Sequence, residues 1–210
     1  MKKAFTTAIV LSAAALFTQS AAQASPVTVN NHSFELNSTP PGTTATSVPI
    51  GWTAFNEGGP SDIGSQNAGG ADFTVNNPLA APANGNQFCY INMFSAGIPG
   101  GIYQDVGPLQ PNTAYTLTVA IGSRADRTNS PGIISLINGT DNAGTVLASG
   151  GGLPVAQNFW QDYTVTFTTG ASVNGDLTIV LSVAGSEAIQ ADFDNVRLTA
   201  TPVVSKAPAR

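Results

Sequence analysis

The segment Tyr115–Ile121, with the sequence YTLTVAI, alternates large apolar side chains with threonine or alanine. The same two-residue period recurs in Tyr163–Thr168, YTVTFT. Such alternation predicts strands with one buried and one solvent-facing side, which is typical of antiparallel sheets. No window of the chain shows a sustained helical period. The sequence therefore predicts an all-β protein.

Short runs rich in β-branched and aromatic residues recur between glycine, proline and asparagine turns. They predict about 11 strands: Val27–Asn30, Val48–Ala54, Ala71–Val75, Gln87–Met93, Gly101–Val106, Ala114–Ile121, Ile133–Asn138, Thr145–Ser149, Asp162–Thr168, Asp176–Val183 and Gln190–Ala200. This pattern is typical of an antiparallel two-sheet jelly-roll sandwich. Binding surfaces usually lie on the loops of such a scaffold, and the stretches predicted to be irregular are Asn37–Ser47, Asn56–Gly70, Asn76–Gly85 and Ala125–Pro131.

The N-terminal residues have the pattern of a secretory signal peptide. Lys2 and Lys3 precede the apolar run Ala8–Phe17, and Ala22-Gln23-Ala24 is a small-x-small cleavage site. The apolar run is too short to span a membrane. We therefore expect a signal peptide over residues 1–24, a secreted or periplasmic protein, and no integral membrane segment after cleavage. One jelly-roll domain over residues 25–201 and a disordered tail over residues 202–210 account for the rest.

Charge and the rare reactive residues exclude several classes of function. The chain has 12 acidic and seven basic residues, so nucleic acid, which requires basic patches, is not an expected partner. Cys89 is the single cysteine, which rules out an internal disulfide and fits a small buried hydrophobe. His32 is the single histidine and lies among asparagines. Catalytic triads and zinc sites are therefore not expected.

The predicted last strand contains two carboxylates at unusual positions. In Gln190–Leu198, QADFDNVRL, strict alternation places Asp192 and Asp194 on the same side as Val196 and Leu198. Two carboxylates on a core-facing row are costly unless something pairs with them. The residues alone leave three interpretations open: metal ligands, catalytic acids, or solvated residues beside a bulge.

One metal site is compatible with this pattern. The segment Val27–Glu35 ends in an asparagine-rich turn that carries Glu35. If the first and last strands are neighbours, Glu35 and Asp194 could converge with backbone carbonyls. Such an all-oxygen site suits Ca²⁺. The alternative is that both are ordinary solvated carboxylates.

Four motifs occur in the order found in a known group of jelly-roll domains. They are Asn30–Glu35 (NNHSFE), Pro49–Trp52 (PIGW), Tyr115–Val119 (YTLTV) and Phe193–Leu198 (FDNVRL). Together they resemble carbohydrate-binding modules and, more closely, the secreted domains of bacterial PEP-CTERM proteins and the cyanobacterial Stig cyclases. The resemblance extends from about Val27 to Thr201, so the fold that it implies applies to nearly the whole domain.

The resemblance implies a structural calcium ion. In this superfamily the ion is held by the Glu of the N-terminal motif, nearby backbone oxygens and the Asp that precedes the valine of the last strand. The matching positions are Glu35 and Asp194, with groups near Asn30 or Asn31 as helpers. The resemblance also implies that the last strand is irregular at Asp194.

The resemblance to the Stig cyclases implies catalytic roles as well. In those enzymes a last-strand Asp is the general acid for a Cope rearrangement and cyclisation of a geranylated indole isonitrile. Here Asp192 would be the acid and Tyr103 the pocket tyrosine. The expected pocket walls are Trp52, Phe55, Phe88, Tyr90, Phe94 and either Phe159 or Trp160. Related cyclases act as dimers or mixed oligomers, which implies a homo-oligomer or a hetero-oligomer here.

Other functions remain open at this point. A non-catalytic secreted module could bind glycans through exposed aromatic side chains, and an exported surface-matrix protein of the PEP-CTERM type is a third option. The C-terminal residues Thr201–Arg210 contain no apolar span of the PEP-CTERM kind, so we expect a domain without an anchor. Glycoside hydrolysis by Asp192 with Asp105 or Asp162 is a weaker option, because no spacing supports such a pair.

Overall fold

A computed structural model describes residues 22–56, 61–69, 73, 79–93, 99–127, 129–154, 156–183 and 189–203. Most of the expected signal peptide, most of the expected C-terminal tail, Phe94 and all of the expected strand Ala71–Val75 except Phe73 lie outside the described residues. No helix within the described ranges has the length and apolar character needed to cross a membrane.

The described residues form 12 strands. They are β1 Ser25–Val27, β2 Thr44–Ala45, β3 Thr53–Phe55, β4 Ser61–Asn67, β5 Gln87–Met93, β6 Gly101–Pro108, β7 Thr113–Ser123, β8 Gly132–Asn138, β9 Thr145–Gly152, β10 Phe159–Thr168, β11 Asp176–Val183 and β12 Ile189–Pro202.

These strands build two antiparallel sheets. Sheet A has the order β10-β7-β12-β5-β4-β2, with β1 also paired to β12. Sheet B has the order β3-β6-β11-β8-β9. The all-β, antiparallel, two-sheet prediction of the jelly-roll type is therefore confirmed.

The hydrophobic core lies between the two sheets. On β7 the alternating residues Leu117, Val119 and Ile121 are fully buried, as the opening segment of the sequence predicts. Cys89 is also buried in this core, and burial raises the pKa of its thiol well above the usual value, with the charges of Asp192 and Asp194 adding to the shift. The single cysteine is thus a packing residue, as expected.

A bulge in β12 explains the two unusually placed carboxylates. Asp194 and Arg197 are three positions apart on β12, whereas their partners on β7 are only two positions apart. Within this bulge Asn195 adopts a left-handed backbone with φ 45°. Phe193 and Val196 can therefore both face the core. Asp192 and Asp194 point to the opposite side of sheet A, which we call its outer face. The irregularity expected at Asp194 is present.

Several predicted boundaries are wrong. The stretch Asn56–Gly70, predicted to be irregular, contains β4, a mostly polar strand with the single large apolar residue Ile63, which forms because it pairs with β5 and β2. The predicted strand Val48–Ala54 begins instead as a turn, in which the Trp52 amide donates to the Pro49 carbonyl.

The two ends of the domain also differ from the prediction. β1 lies at Ser25–Val27 rather than Val27–Asn30. At the other end β12 extends to Pro202, and the Val203 amide donates to the Asn112 carbonyl at 2.6 Å. The first residues of the expected disordered tail are therefore ordered. Because Ser25 pairs with Ala200, the domain begins and ends on adjacent strands.

Candidate active site

A row of paired residues crosses the outer face of sheet A at Asp192. Asp192 pairs with Tyr90 of β5 on one side and with Gly122 of β7 on the other. Gly122 in turn pairs with Trp160 of β10. Directly paired residues share a face, so Trp160, Asp192 and Tyr90 lie on the same surface. A Cβ atom at Gly122 would be 2.8 Å from the Trp160 ring, and the missing side chain therefore lets this ring lie against β7 beside Asp192.

Four aromatic side chains form what we call the aromatic cluster: Phe73, Phe88, Tyr90 and Trp160. The rings of Phe73 and Trp160 stack with centroids 4.9 Å apart, and Phe88 meets Trp160 edge to face at 5.7 Å. All four are buried. They form an apolar layer on the outer face of sheet A, separate from the core between the sheets.

Asp192 is completely buried within this surface. Its Oδ1 accepts a hydrogen bond of 2.6 Å from Nε2 of Gln190. Asp192 is therefore not a solvated residue at a sheet edge. A carboxyl group among aromatic faces can donate a proton to a neutral ligand, and the faces can stabilise the cation that forms.

Tyr90, the pairing partner of Asp192, extends its ring over β4 and carries a neutral hydroxyl there. Burial raises the pKa of Tyr90 well above its usual value, and the adjacent Asp62 carboxylate adds to the shift. Its hydroxyl donates to Asp62 Oδ2 at 3.4 Å. Tyr90 therefore remains protonated throughout the pH range in which the protein is expected to work.

A polar group borders the same face. Arg124 is buried; its Nη1 donates to Gln66 Oε1 at 2.6 Å, and Nε and Nη2 donate to the two carboxylate oxygens of Asp126 at 2.9 and 2.8 Å. The hydrogen bonds from Arg124 hold the pKa of Asp126 below its usual value. No sequence motif indicated Gln66 and Arg124, and Gln190 was not among the predicted site residues. For Gln190 a signal existed, since it lies two residues before Asp192 and shares its face.

Glu35 and Asp194 converge on one loop. Glu35 Oε1 accepts from the amides of Asn86 and Gln87, both at 2.7 Å. Asp194 Oδ2 accepts from the Asn84 amide at 2.6 Å. Burial raises the pKa of Asp194 well above its usual value, and the negative charge of Glu35 adds to the shift. Within the described residues, neither carboxylate forms a salt bridge.

This arrangement fits a calcium ion. The side-chain donors are all oxygens, which Ca²⁺ prefers, and a cation would offset the cost of holding two carboxylates together where one is buried. Among the described residues no group of three or more histidine, cysteine, aspartate or glutamate side chains could hold a metal. Backbone oxygens would have to complete the coordination of Glu35 and Asp194.

Both polar atoms of the Asn31 side chain form hydrogen bonds within the protein, unlike those of a simple metal ligand. Its Oδ1 accepts from the Leu36 amide at 3.1 Å and its Nδ2 donates to the Ile50 carbonyl at 2.9 Å. With φ 50°, Asn31 shapes the turn that presents Glu35. The side chain of Asn31 thus stabilises the neighbourhood of the carboxylate.

Several expected pocket residues do not join Asp192. Tyr103 and Phe55 lie on neighbouring strands of sheet B. Ile102 is next to Tyr103 in the chain and faces the core, so side-chain alternation directs both Tyr103 and Phe55 to the far side of that sheet. Trp52 lies in the core against Phe34, with ring centroids 5.7 Å apart. Placing Tyr103, Phe55 and Trp52 in one pocket with Asp192 was therefore wrong, since the core of the sandwich separates them.

The other residues named as candidates also lie in different places on the molecule. Of the two alternative walls on β10, Trp160 lies in the aromatic cluster, whereas Phe159 is 59% exposed. Asp162 forms an exposed ion pair with Arg197, and Asp105 is exposed on sheet B. Of the residues predicted for catalysis and substrate binding, the structure brings together Asp192, Phe88, Tyr90 and Trp160.

Comparisons with known proteins concern the family and the fold of the chain. Residues 25–199 match the model of the HpiC1-like family, described as HpiC1 cyclase. No curated protein matches the chain. The fold is similar to that of the Stig cyclase Fisc from Fischerella sp. TAU in complex with (3Z)-3-(1-methyl-2-pyrrolidinylidene)-3H-indole, with a TM-score of 0.72 and 25% identity over 87% of this chain and 100% of that one.

Two further solved structures extend the comparison. A cyclase from Fischerella sp. TAU in complex with 4-(1H-indol-3-yl)butan-2-one has a TM-score of 0.72 and 25% identity over 86% of this chain and 100% of that one. A structure described as CBM4 matches with a TM-score of 0.50 and 17% identity over 82% and 99% of the two chains, which shows the fold alone. The family match covers almost the whole folded domain, and the chain therefore belongs to the HpiC1-like cyclase family.

Proposed function

We propose that the protein is a cyclase of indole alkaloid biosynthesis. Its substrate would be a geranylated indole isonitrile, which undergoes an acid-promoted Cope rearrangement followed by ring closure, as in hapalindole-type pathways. The observation that carries this proposal is the complete burial of Asp192 beside the aromatic cluster. Membership of the family and the indole ligands held by two similar cyclases support the same substrate class.

In the proposed mechanism Asp192 is the general acid. Its carboxyl group donates a proton to the neutral substrate, a type of step that contributes roughly 10²–10⁴-fold in rate. The Gln190 amide holds Oδ1 at 2.6 Å and so fixes the orientation of the carboxyl group. The electron-rich rings of the aromatic cluster stabilise the developing positive charge. The closed apolar surroundings exclude water, which would otherwise capture the carbocation.

We further propose that Glu35 and Asp194 hold a calcium ion. When bound, the ion supplies positive charge that compensates the two carboxylates. The protein contacts already join the parts that this ion would stabilise: Asp194 binds the Asn84 amide, and Asn195 Nδ2 donates to the Pro82 carbonyl at 2.7 Å. The proposed role is therefore structural, fixing the loop before β5 against β12.

Substitution of Asp192 tests the proposed activity. The protein without residues 1–24 is incubated with the geranylated indole isonitrile and Ca²⁺, and cyclised products are quantified by chromatography and mass spectrometry. We expect Asp192→Asn to lose activity by roughly 10²–10⁴-fold. Asp162→Asn, an exposed carboxylate on the same sheet, and Tyr103→Phe, on the opposite sheet, should keep wild-type rates.

Melting curves establish that each variant is folded. Wild-type turnover no faster than the uncatalysed background would overturn the proposal. Equal rates for Asp192→Asn and the wild type would remove Asp192 from the mechanism.

The proposal also includes export of the protein from the cytoplasm and its assembly into an oligomer. We infer from residues 1–24 that the protein is secreted or periplasmic, and from its family that it forms a homo-oligomer or a hetero-oligomer with related cyclases. Fractionation of expressing cells tests the first statement, since cytoplasmic retention of the uncleaved chain would contradict it. Light scattering tests self-assembly, because a mass near that of one chain would leave only assembly with related cyclases.

A further inference from the structure

In the side-chain amide of Gln190, the nitrogen has a hydrogen-bond partner among the described residues and the oxygen does not. The residue is 2% exposed and lies on the outer face of sheet A, two residues before Asp192. Its Nε2 donates to Asp192 Oδ1 at 2.6 Å. Its Oε1 is buried and has no hydrogen-bond partner among the described residues. The contact with Asp192 fixes the amide orientation, because the NH₂ group is its only donor.

A buried acceptor of this kind normally has a donor. Leaving such a carbonyl oxygen unpaired destabilises the folded state, and native proteins rarely tolerate it without a reason. Trp160 Nε1 is a buried donor that also lacks a partner within the described part of the chain, so these two groups do not satisfy each other. Gln190 Oε1 is thus a fixed acceptor that a donor on a bound molecule could satisfy.

The other buried polar groups nearby are less suited to accept a hydrogen bond from a ligand. Gln66 Oε1 already accepts from Arg124 Nη1 at 2.6 Å. The guanidinium group of Arg124 can only donate. The carboxyl group of Asp192 is assigned to proton transfer. Among the buried groups just compared, all of them in the described part of the chain, Gln190 Oε1 is therefore the acceptor best suited to a ligand beside the aromatic cluster.

We propose that Gln190 determines substrate specificity by accepting a hydrogen bond from the ring N–H of an indole-type substrate. This inference rests on the proposed function, because it assumes that the substrate occupies the surface around Asp192. An indole ring that lies at the edge of the aromatic cluster carries such a donor in its own plane. The same amide group then contacts both the acid and the ring to be protonated, which sets their relative position.

Two ligands that differ only at the ring donor test the inference. The first probe is 4-(1H-indol-3-yl)butan-2-one, and the second is its benzofuran counterpart, in which oxygen replaces the N–H without added bulk. Calorimetric titration of the wild-type protein should show about tenfold tighter binding of the indole. Gln190→Leu should bind the two ligands with equal affinity. Gln110→Leu, a change at an exposed glutamine, should keep the wild-type preference.

Every outcome bears on the inference. Equal wild-type affinities, a preference that persists in Gln190→Leu, or failure of the wild-type protein to bind the indole would overturn it. The wild-type comparison needs no variant, so misfolding of Gln190→Leu would not prevent the test.

Turnover separates this inference from the proposed function. An N–H preference that depends on Gln190, without any cyclisation, would support the recognition site and refute the cyclase. Cyclisation that depends on Asp192, without an N–H preference, would refute only the role of Gln190.

Discussion

At the scale of single residues, the position of Asp192 depends on Asn195. The bulge at Asn195 inserts one residue into β12, and this turns the carboxylates to the outer face while Val196 and Leu198 stay in the core. Asparagine tolerates the left-handed backbone that this bulge requires better than most residues. A single residue thus reconciles a buried apolar row with two acidic side chains on one strand.

Substitution of Asn195 should reveal this dependence. We expect Asn195→Val to lower the free energy of unfolding by about 2–3 kcal/mol, since a β-branched residue with positive φ costs roughly 1–2 kcal/mol and the hydrogen bond to Pro82 is lost as well. Asn195→Gly keeps the permitted backbone and should lose only about 1 kcal/mol. Urea denaturation measures both variants. Equal losses would indicate that the left-handed backbone contributes nothing.

The sequence predicted residues of the candidate site only where a recognised motif, such as the one in the last strand, pointed to them. The last-strand motif drew attention to Asp192, whose role as the acid stays a prediction, and Phe88 and Tyr90 lie on the same face of sheet A. Tyr103 was not placed correctly, because the alternation within a strand does not reveal which sheet the strand joins. Gln190 was missed because its importance arises from a single hydrogen bond to Asp192.

At the scale of the elements, β12 and the loop before β5 form one unit. Glu35 holds the amides of Asn86 and Gln87, and Asp194 holds the amide of Asn84. Gly85 between them has φ 92°, and a Cβ atom there would be 2.3 Å from Glu35 Oε1. The close approach of backbone and carboxylate explains why glycine occupies this position.

If the proposed calcium ion is bound between Glu35 and Asp194, its removal should loosen this unit. We expect a chelator to lower the melting temperature of the wild-type protein by several degrees, because a bound ion stabilises the folded state by mass action. Glu35→Gln should melt at the same temperature with and without chelator. Asp141→Asn, a change at an exposed carboxylate in the β8–β9 turn, should behave like the wild type. A wild-type melt that the chelator leaves unchanged would contradict the Glu35–Asp194 site.

The strands differ in how well the sequence predicts them. β5 and β11 were predicted with correct bounds, since both are apolar runs in the middle of a sheet. β4 was predicted as a loop because its residues have low strand propensity. Its pairing with β5 and β2 overrides that preference, and such long-range pairing cannot be read from the segment itself.

At the scale of the whole molecule, sheet A has apolar layers on both sides. The core between the sheets covers one side, and the aromatic cluster covers part of the other. The sequence predicted the two sheets from alternation. It did not predict which outer face would be covered, because alternation does not reveal which sheet face the stretch between β4 and β5 packs on, and Phe73 of the aromatic cluster and its neighbour Leu79 come from that stretch.

The pairing of β1 with β12 makes the domain suitable for circular permutation. Ser25 and Ala200 are direct partners, so a short linker could join the two ends without stretching either strand. New ends would fit at Asp141 and Asn142 in the β8–β9 turn, because exposed turns tolerate such cuts. Along β12 the join lies eight residues from Asp192, roughly 27 Å away. A permuted chain should therefore cyclise substrate as the natural order does, with the order of synthesis changed and the chemistry preserved.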